Sequence, residues 1–280
     1  MRSNMKMIAV IIGVVALAGL ANADDACLVD MKKSPHVKMR PIAFASVNWT
    51  DGFWAERYDQ TCTVTVRRLW ELAADPDAGH VLDNFRAAAT GQGEHAGTDW
   101  QDAWLYKWIE AAASVYAKHP NPWIAERMDE AIALIAAAQE SDGYIATQIT
   151  SKKKARFTNP REHEVYSMGH LLTAGCVHQR ITGEDSLMKV AVRCGDFLCA
   201  NLGEKVWPSY AHNPSAIMGL VEMYRETGQR KYLDCAKLIV DSRGKRPKKG
   251  GLFNKVPGII GSDLIQDRVP LRRSKEVVGH

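Results

Sequence analysis

The chain lacks any apolar run long enough to cross a bilayer. Its one candidate, Met7 to Leu20, falls short of the roughly 20 residues a spanning helix needs. Arg2 and Lys6 precede that run, and Ala21-Asn22-Ala23 follows with small residues, which together predict a cleavable secretory leader over residues 1–23. No cysteine stands at the cleavage position, since Cys27 comes later, so a lipid anchor is excluded from the expectation. The mature chain is expected to be periplasmic or extracellular, away from the membrane. A strong charge of either sign is also missing. Loss of Arg2 and Lys6 with the leader leaves 34 basic against 32 acidic residues, a charge of +2. A nucleic-acid-binding protein concentrates a marked excess of Lys and Arg on one face, so nucleic acid is not an expected partner. The basic cluster from Arg243 to Lys249 surrounds Gly244 and Pro247 and reads as a solvated loop.

No Cys-x-x-Cys pair occurs among Cys27, Cys62, Cys176, Cys194, Cys199 and Cys235. An oxidising compartment permits disulfides without implying them. Cys176, Cys194 and Cys235 fall among apolar residues, so thiols acting as small buried hydrophobes are the expectation. Alternating strands are absent between Asp51 and Asp241, which argues against a doubly wound α/β fold.

Helical signals fill the chain instead. A polar lead-in over residues 24–46 ends in a strand-like piece near Phe44 to Val47. Cys62 to Ala74 then has helical periodicity, stopped by Asp75-Pro76-Asp77. A helix is predicted over Asp102–Lys118, a turn at His119-Pro120-Asn121-Pro122, and an Ala- and Ile-rich helix over Ile124–Gln139. Trp100, Trp104 and Trp108 stand at i, i+4 and i+8 and read as one indole stripe, with Asp99 and Asp102 beside it. Such a stripe commonly packs in a core, but an indole at a helix mouth can stack on a sugar ring, which makes Trp100 a candidate binding residue. Arg180, Thr182-Gly183, Ala191 and Asp196 recur as Arg225, Thr227-Gly228, Ala236 and Asp241 at a constant offset of 45. Repeated helical hairpins of this length predict an α-solenoid or a closed α/α toroid.

The polar mouth of one helix is the other candidate site, at Arg161-Glu162-His163-Glu164-Val165-Tyr166-Ser167-Met168-Gly169-His170. His163 and His170 are two turns apart, roughly 10.5 Å, too far to share a metal ion and unlike the i, i+4 histidines of a zinc-binding His-Glu-x-x-His helix. Either His163 and Glu164 are offered to a ligand, or these polar groups cap and pack the helix.

Asp51-Gly52-Phe53-Trp54-Ala55-Glu56-Arg57, Asp142-Gly143-Tyr144, His163-Glu164-Val165-Tyr166 with Gly169-His170, and Glu276-Val277-Val278-Gly279-His280 occur in that order. In this the chain resembles glycoside hydrolase family 127, the β-L-arabinofuranosidases, from about Val47 to His280. The resemblance implies an (α/α)6 barrel over residues 47–280, incomplete because about eight helices fit where twelve are needed, and a chain cut short at His280. It implies a retaining glycosidase that releases terminal L-arabinofuranose from plant-type glycans. A zinc-held cysteine thiolate would be the nucleophile and a glutamate the acid/base. In the family those groups follow the Val-Gly-His motif, so no catalytic residue is assigned here and no zinc is expected to be held by this chain. The sugar-facing residues it implies are His163, His212 of Trp207-Pro208-Ser209-Tyr210-Ala211-His212, and His280. Neutral imidazoles that both donate and accept suit adjacent hydroxyls. The competing readings are a non-catalytic helical carbohydrate-binding protein or inactive relic, and a different α/α-barrel enzyme such as an unsaturated glucuronyl hydrolase. An open barrel edge would expose apolar surface and favour self-association.

Overall fold

The computed structural model describes residues 26–32, 34–203 and 213–242. The predicted leader, the Trp207 to His212 motif and the Val-Gly-His motif with His280 lie outside the described residues. Among those described there is no β-strand, in line with the all-α expectation. The helices are α1 (Gly52–Gln60), α2 (Val66–Ala74), α3 (Val81–Thr90), α4 (Asp102–Lys118), α5 (Pro122–Ala138), the single turn α6 (Thr147–Thr150), α7 (Glu164–Thr182), α8 (Ser186–Asn201), α9 (Ser215–Thr227) and α10 (Arg230–Ser242). None is long and apolar enough to cross a membrane.

Local chemistry accounts for the ends of these helices. The Asn121 side chain accepts from the Trp123 amide at 2.9 Å and Pro122 opens α5. Asp75 turns its carboxylate onto the Asp77 amide at 2.8 Å just after α2 stops. The repeated Thr-Gly pairs end α7 and α9 identically: Gly183 and Gly228 take left-handed φ of 77° and 71°, and each preceding threonine hydroxyl donates to a carbonyl one turn back. The piece near Phe44 to Val47 is a 3-10 turn, Phe44–Ser46, and not a strand. Its extended neighbours find no strand to pair with, and a lone strand has nowhere to place its backbone hydrogen bonds.

The long helices form four hairpins in two layers. α2, α4, α7 and α9 lie side by side in one layer, and α3, α5, α8 and α10 cover them in the other. Leu105, Tyr106, Ile109, Met168 and Leu171 are fully buried between the layers. Helices within a layer run parallel. Along α7 and α9, Gly169 meets Ala216, Cys176 Sγ lies 3.6 Å from Met223 Sδ, and Arg180 reaches Glu226. The starts of α4, α7 and α9 therefore share one end of the structure.

His178, buried on α7, is pushed down to about 4 by loss of solvent. Its ordinary value of about 6.5 applies in the unfolded chain, which takes up a proton first as the pH falls. Stability is thus fully retained above about pH 6.5 and lost progressively between 6.5 and 4, by about 3 kcal/mol for this group. Urea midpoints measured from pH 7.5 to 4 should fall with that sign, and the His178 imidazole resonance should not titrate near 6.5 in the folded protein.

Candidate functional site

The aromatic and imidazole groups at the shared end assemble from three elements. His163 is the residue before α7, and it adopts a left-handed backbone of φ 54° and ψ 26°, uncommon for a residue with a side chain. Its Nδ1 bonds the Arg161 carbonyl. In the tautomer that donates there, Nε2 is the accepting nitrogen. The half-exposed Trp100, in the turn before α4, meets the His163 ring edge to face at 5.0 Å. His163 in turn meets Tyr166 at 5.7 Å, and Tyr166 meets His170 at 4.7 Å, both near-perpendicular. Lys107 of α4 donates to Tyr166 Oη at 2.5 Å and lies 5.0 Å from its ring centroid. Burial, reinforced by the Lys107 ammonium, pushes His170 down to about 4, so it is a neutral imidazole at pH 7.

Two sequence-selected candidates are therefore together, Trp100 with His163. His212 and His280 lie outside the described residues, although Ser215, three positions after His212, donates to the Tyr166 carbonyl at 3.0 Å. The single indole stripe is corrected. Trp100 lies in the turn before α4 and outside the helix, whereas Trp108 turns into the core, meets Trp70 at a tilt with ring centroids 4.7 Å apart and donates to the Val66 carbonyl at 2.9 Å. Trp104 remains exposed.

The acids near this end face inward. Glu164 is not offered to a ligand: it accepts from Tyr144 Oη and from the Phe157 amide at 2.8 Å, and burial raises its pKa. Tyr144 is held in turn by Gly143, whose φ of 94° and close approach to the Arg193 carbonyl, 2.3 Å from where a Cβ would stand, admit no side chain. The Asp-Gly-Tyr motif thus supports the helix that carries His163. Asp102 accepts from the Thr147 amide at 2.8 Å and from its hydroxyl at 2.5 Å, and His95 reaches the same hydroxyl at 2.7 Å. This buried network ties the loop before α4 to α6.

Glu110 and Lys107 belong to none of the sequence motifs, whereas Tyr166 lies within the His163-Glu164-Val165-Tyr166 motif. Glu110 sits one turn along α4 from Lys107, its pKa raised to about 7 by burial, and its Oε1 has no protein partner. The signal for it was an acid inside the apolar run Trp108-Ile109-Glu110-Ala111-Ala112. A separate cavity of about 360 Å³ lies at the opposite ends of α7 and α9, beside Arg180, Gly183 and Glu226, away from this aromatic group.

The sequence model for the β-L-arabinofuranosidase GH127 catalytic domain matches residues 46–280. The chain belongs to glycoside hydrolase family 127. A non-reducing end β-L-arabinofuranosidase of Bifidobacterium longum subsp. longum is 33% identical over 229 residues, 72% of this chain and 35% of that protein. The crystal structure of a GH127 β-L-arabinofuranosidase from Geobacillus stearothermophilus T6 superposes with a TM-score of 0.68 at 29% identity, covering 79% of this chain and 35% of its own. A second GH127 β-arabinofuranosidase structure gives 0.67 at 27% identity, covering 76% and 35%. The chain therefore spans about a third of the length of these relatives. Their fold is an (α/α) barrel, and the four hairpins described here are part of such a ring.

Zinc chemistry, implied by the resemblance, finds no fit in what is described. Among the described residues no three His, Cys, Asp or Glu side chains come close enough to hold a metal ion. Cys176 and Cys194 are isolated in the core, and burial pushes both thiols above their ordinary values.

Proposed function

We propose that this chain supplies the sugar-facing wall of an exported β-L-arabinofuranosidase, acting within a polypeptide of the relatives' full length on terminal L-arabinofuranose of plant-type glycans. The observation that carries the reading is the row Trp100–His163–Tyr166–His170 at the common end of α4 and α7 in a member of this family. An indole edge and imidazoles, His170 among them neutral, suit an uncharged polyol. Aromatic faces stack on its apolar side, and ring nitrogens donate to and accept from its hydroxyls. Among the described residues no three His, Cys, Asp or Glu side chains group to hold a metal ion, and we assign the retaining nucleophile, the acid/base and the zinc cluster to the remaining part of the full-length protein. His212 and His280 join the same wall in this reading. Export rests on the leader pattern of residues 1–23. Exposed Phe53 and Trp54 on α1 and Met218 on α9 give the apolar surface for closure or self-association.

Titration of the chain with methyl β-L-arabinofuranoside, followed by heat or by imidazole resonances, tests this directly. Binding without hydrolysis is expected, weakened about tenfold by His163→Ala, the order of one hydrogen bond. The full-length protein is expected to release L-arabinose. Release by this chain alone would overturn the placing of the nucleophile. Activity of the full-length protein on unsaturated uronides and not on arabinosides would overturn the substrate, and Lys107 would then be the group to examine.

A further inference from the structure

α8 and α10 lie against each other and run parallel, so that residues 36 positions apart come face to face. Tyr232 Oη donates to Asp196 at 2.7 Å, and Lys231 Nζ pairs with the same carboxylate at 2.6 Å. Gly195 lets the Tyr232 ring come close, since a Cβ there would stand 2.9 Å from its Cε1. One turn further, the same register brings Cys199 to Cys235. Cys199 Sγ also reaches the Lys231 carbonyl at 3.7 Å. Another turn on, Gly203 lies against Leu238. The two sulfurs thus sit within a register fixed on both sides.

The cysteines divide by surroundings. Cys176 and Cys194 are fully buried, and Cys194, five residues before Cys199 on the same helix, faces the core. Cys235 is nearly buried, whereas Cys199 is partly exposed beside the exposed Lys231. We propose that Cys199 and Cys235 form a redox-active dithiol that closes to a disulfide by exchange with a disulfide donor. Cys199, as thiolate, attacks one donor sulfur, and the donor S–S bond breaks to release one donor thiol. Cys235, as thiolate, then attacks the Cys199 sulfur of the mixed disulfide and releases the second donor thiol. Two protein thiols are oxidised, one donor disulfide is reduced to two thiols, and both protons end on the donor. The neighbouring Cys235 holds the Cys199 thiol below its ordinary value, the direction an attacking sulfur needs, while Cys199 and burial push Cys235 up. A metal site at this pair is disfavoured, because no third ligand completes a cluster among the described residues. Closure would tie α8 to α10 across the segment that contains α9, and so fix the hairpin whose start abuts Tyr166.

The folded chain is incubated with oxidised glutathione, quenched with acid, alkylated and digested with trypsin. The expected product is the peptide bearing Cys199 joined to the peptide bearing Cys235, lighter than their sum by two hydrogens. Because Cys194 shares a tryptic peptide with Cys199, the link should persist in Cys194→Ala and vanish in Cys199→Ser. Recovery of both Cys199 and Cys235 alkylated, a glutathione adduct that stays on Cys199, or a link that survives Cys199→Ser would each overturn the proposal.

Discussion

Gly169→Ala should cost about 3 kcal/mol or more and leave the chain largely unfolded, although alanine is the better helix former by about 1 kcal/mol. A Cβ on Gly169 would stand 2.3 Å from the Ala216 nitrogen and 2.4 Å from the Ser215 carbonyl carbon. From the other side, a Cβ on Gly219 would lie 2.5 Å from the Gly169 carbonyl oxygen. Both obstacles are backbone, which cannot swing aside as a side chain can, so α7 and α9 would have to separate along their length. Gly195→Ala offers the graded comparison, because there the nearest atom is the edge of the Tyr232 ring, which can give way. Urea denaturation of the two variants should rank Gly169→Ala well below Gly195→Ala. Equal, wild-type-like midpoints would mean that the helices do not cross at Gly169. The effect would reach the binding wall too, since this crossing is what sets Ser215 against the Tyr166 carbonyl.

Arg180→Ala should cost about 3–5 kcal/mol by leaving a carboxylate stranded. The Arg180 guanidinium, almost wholly buried, binds Glu222 at 2.5 Å, Glu226 at 2.7 Å and the Leu28 carbonyl at 2.8 Å. Glu222 is as deeply buried as Arg180, and Arg225 of its own helix is its other cation. Removing Arg180 takes away the contact that joins α7, α9 and the N-terminal segment, and it leaves Glu222 dehydrated with half its compensation. The companion double variant Arg180→Met with Glu222→Leu should recover most of the loss, because a packed apolar pair of similar volume need not be worse than a buried ion pair. A double-mutant cycle by chemical denaturation measures this. Additive losses in the two single variants would show that the pair is not coupled.

The helix over Asp102–Lys118 was legible in the sequence to the residue, and the Ala-rich α5 to within two at its start and one at its end, because period and capping act locally. The 45-residue repeat was legible for the same reason. Each Thr-Gly ends its helix by its own backbone geometry, whatever surrounds it. The roles of individual polar residues were not. Glu164 and Asp102 stand beside His163 and Trp100 in the sequence and looked equally available, yet both are turned inward by partners far along the chain, Tyr144 and Thr147. Lys107 joins the wall only because α4 and α7 run parallel with their starts at one end, and a single helix carries no record of that alignment.

By itself the sequence determined the helices, their pairing into repeated hairpins and the family, since these rest on local periodicity and on motifs in order along the chain. Only the tertiary structure decided which side chains face the shared end and which are buried. That choice depends on which backbones can approach without a Cβ between them, as at Gly169 and Gly143, and on which buried acids find a donor from another helix.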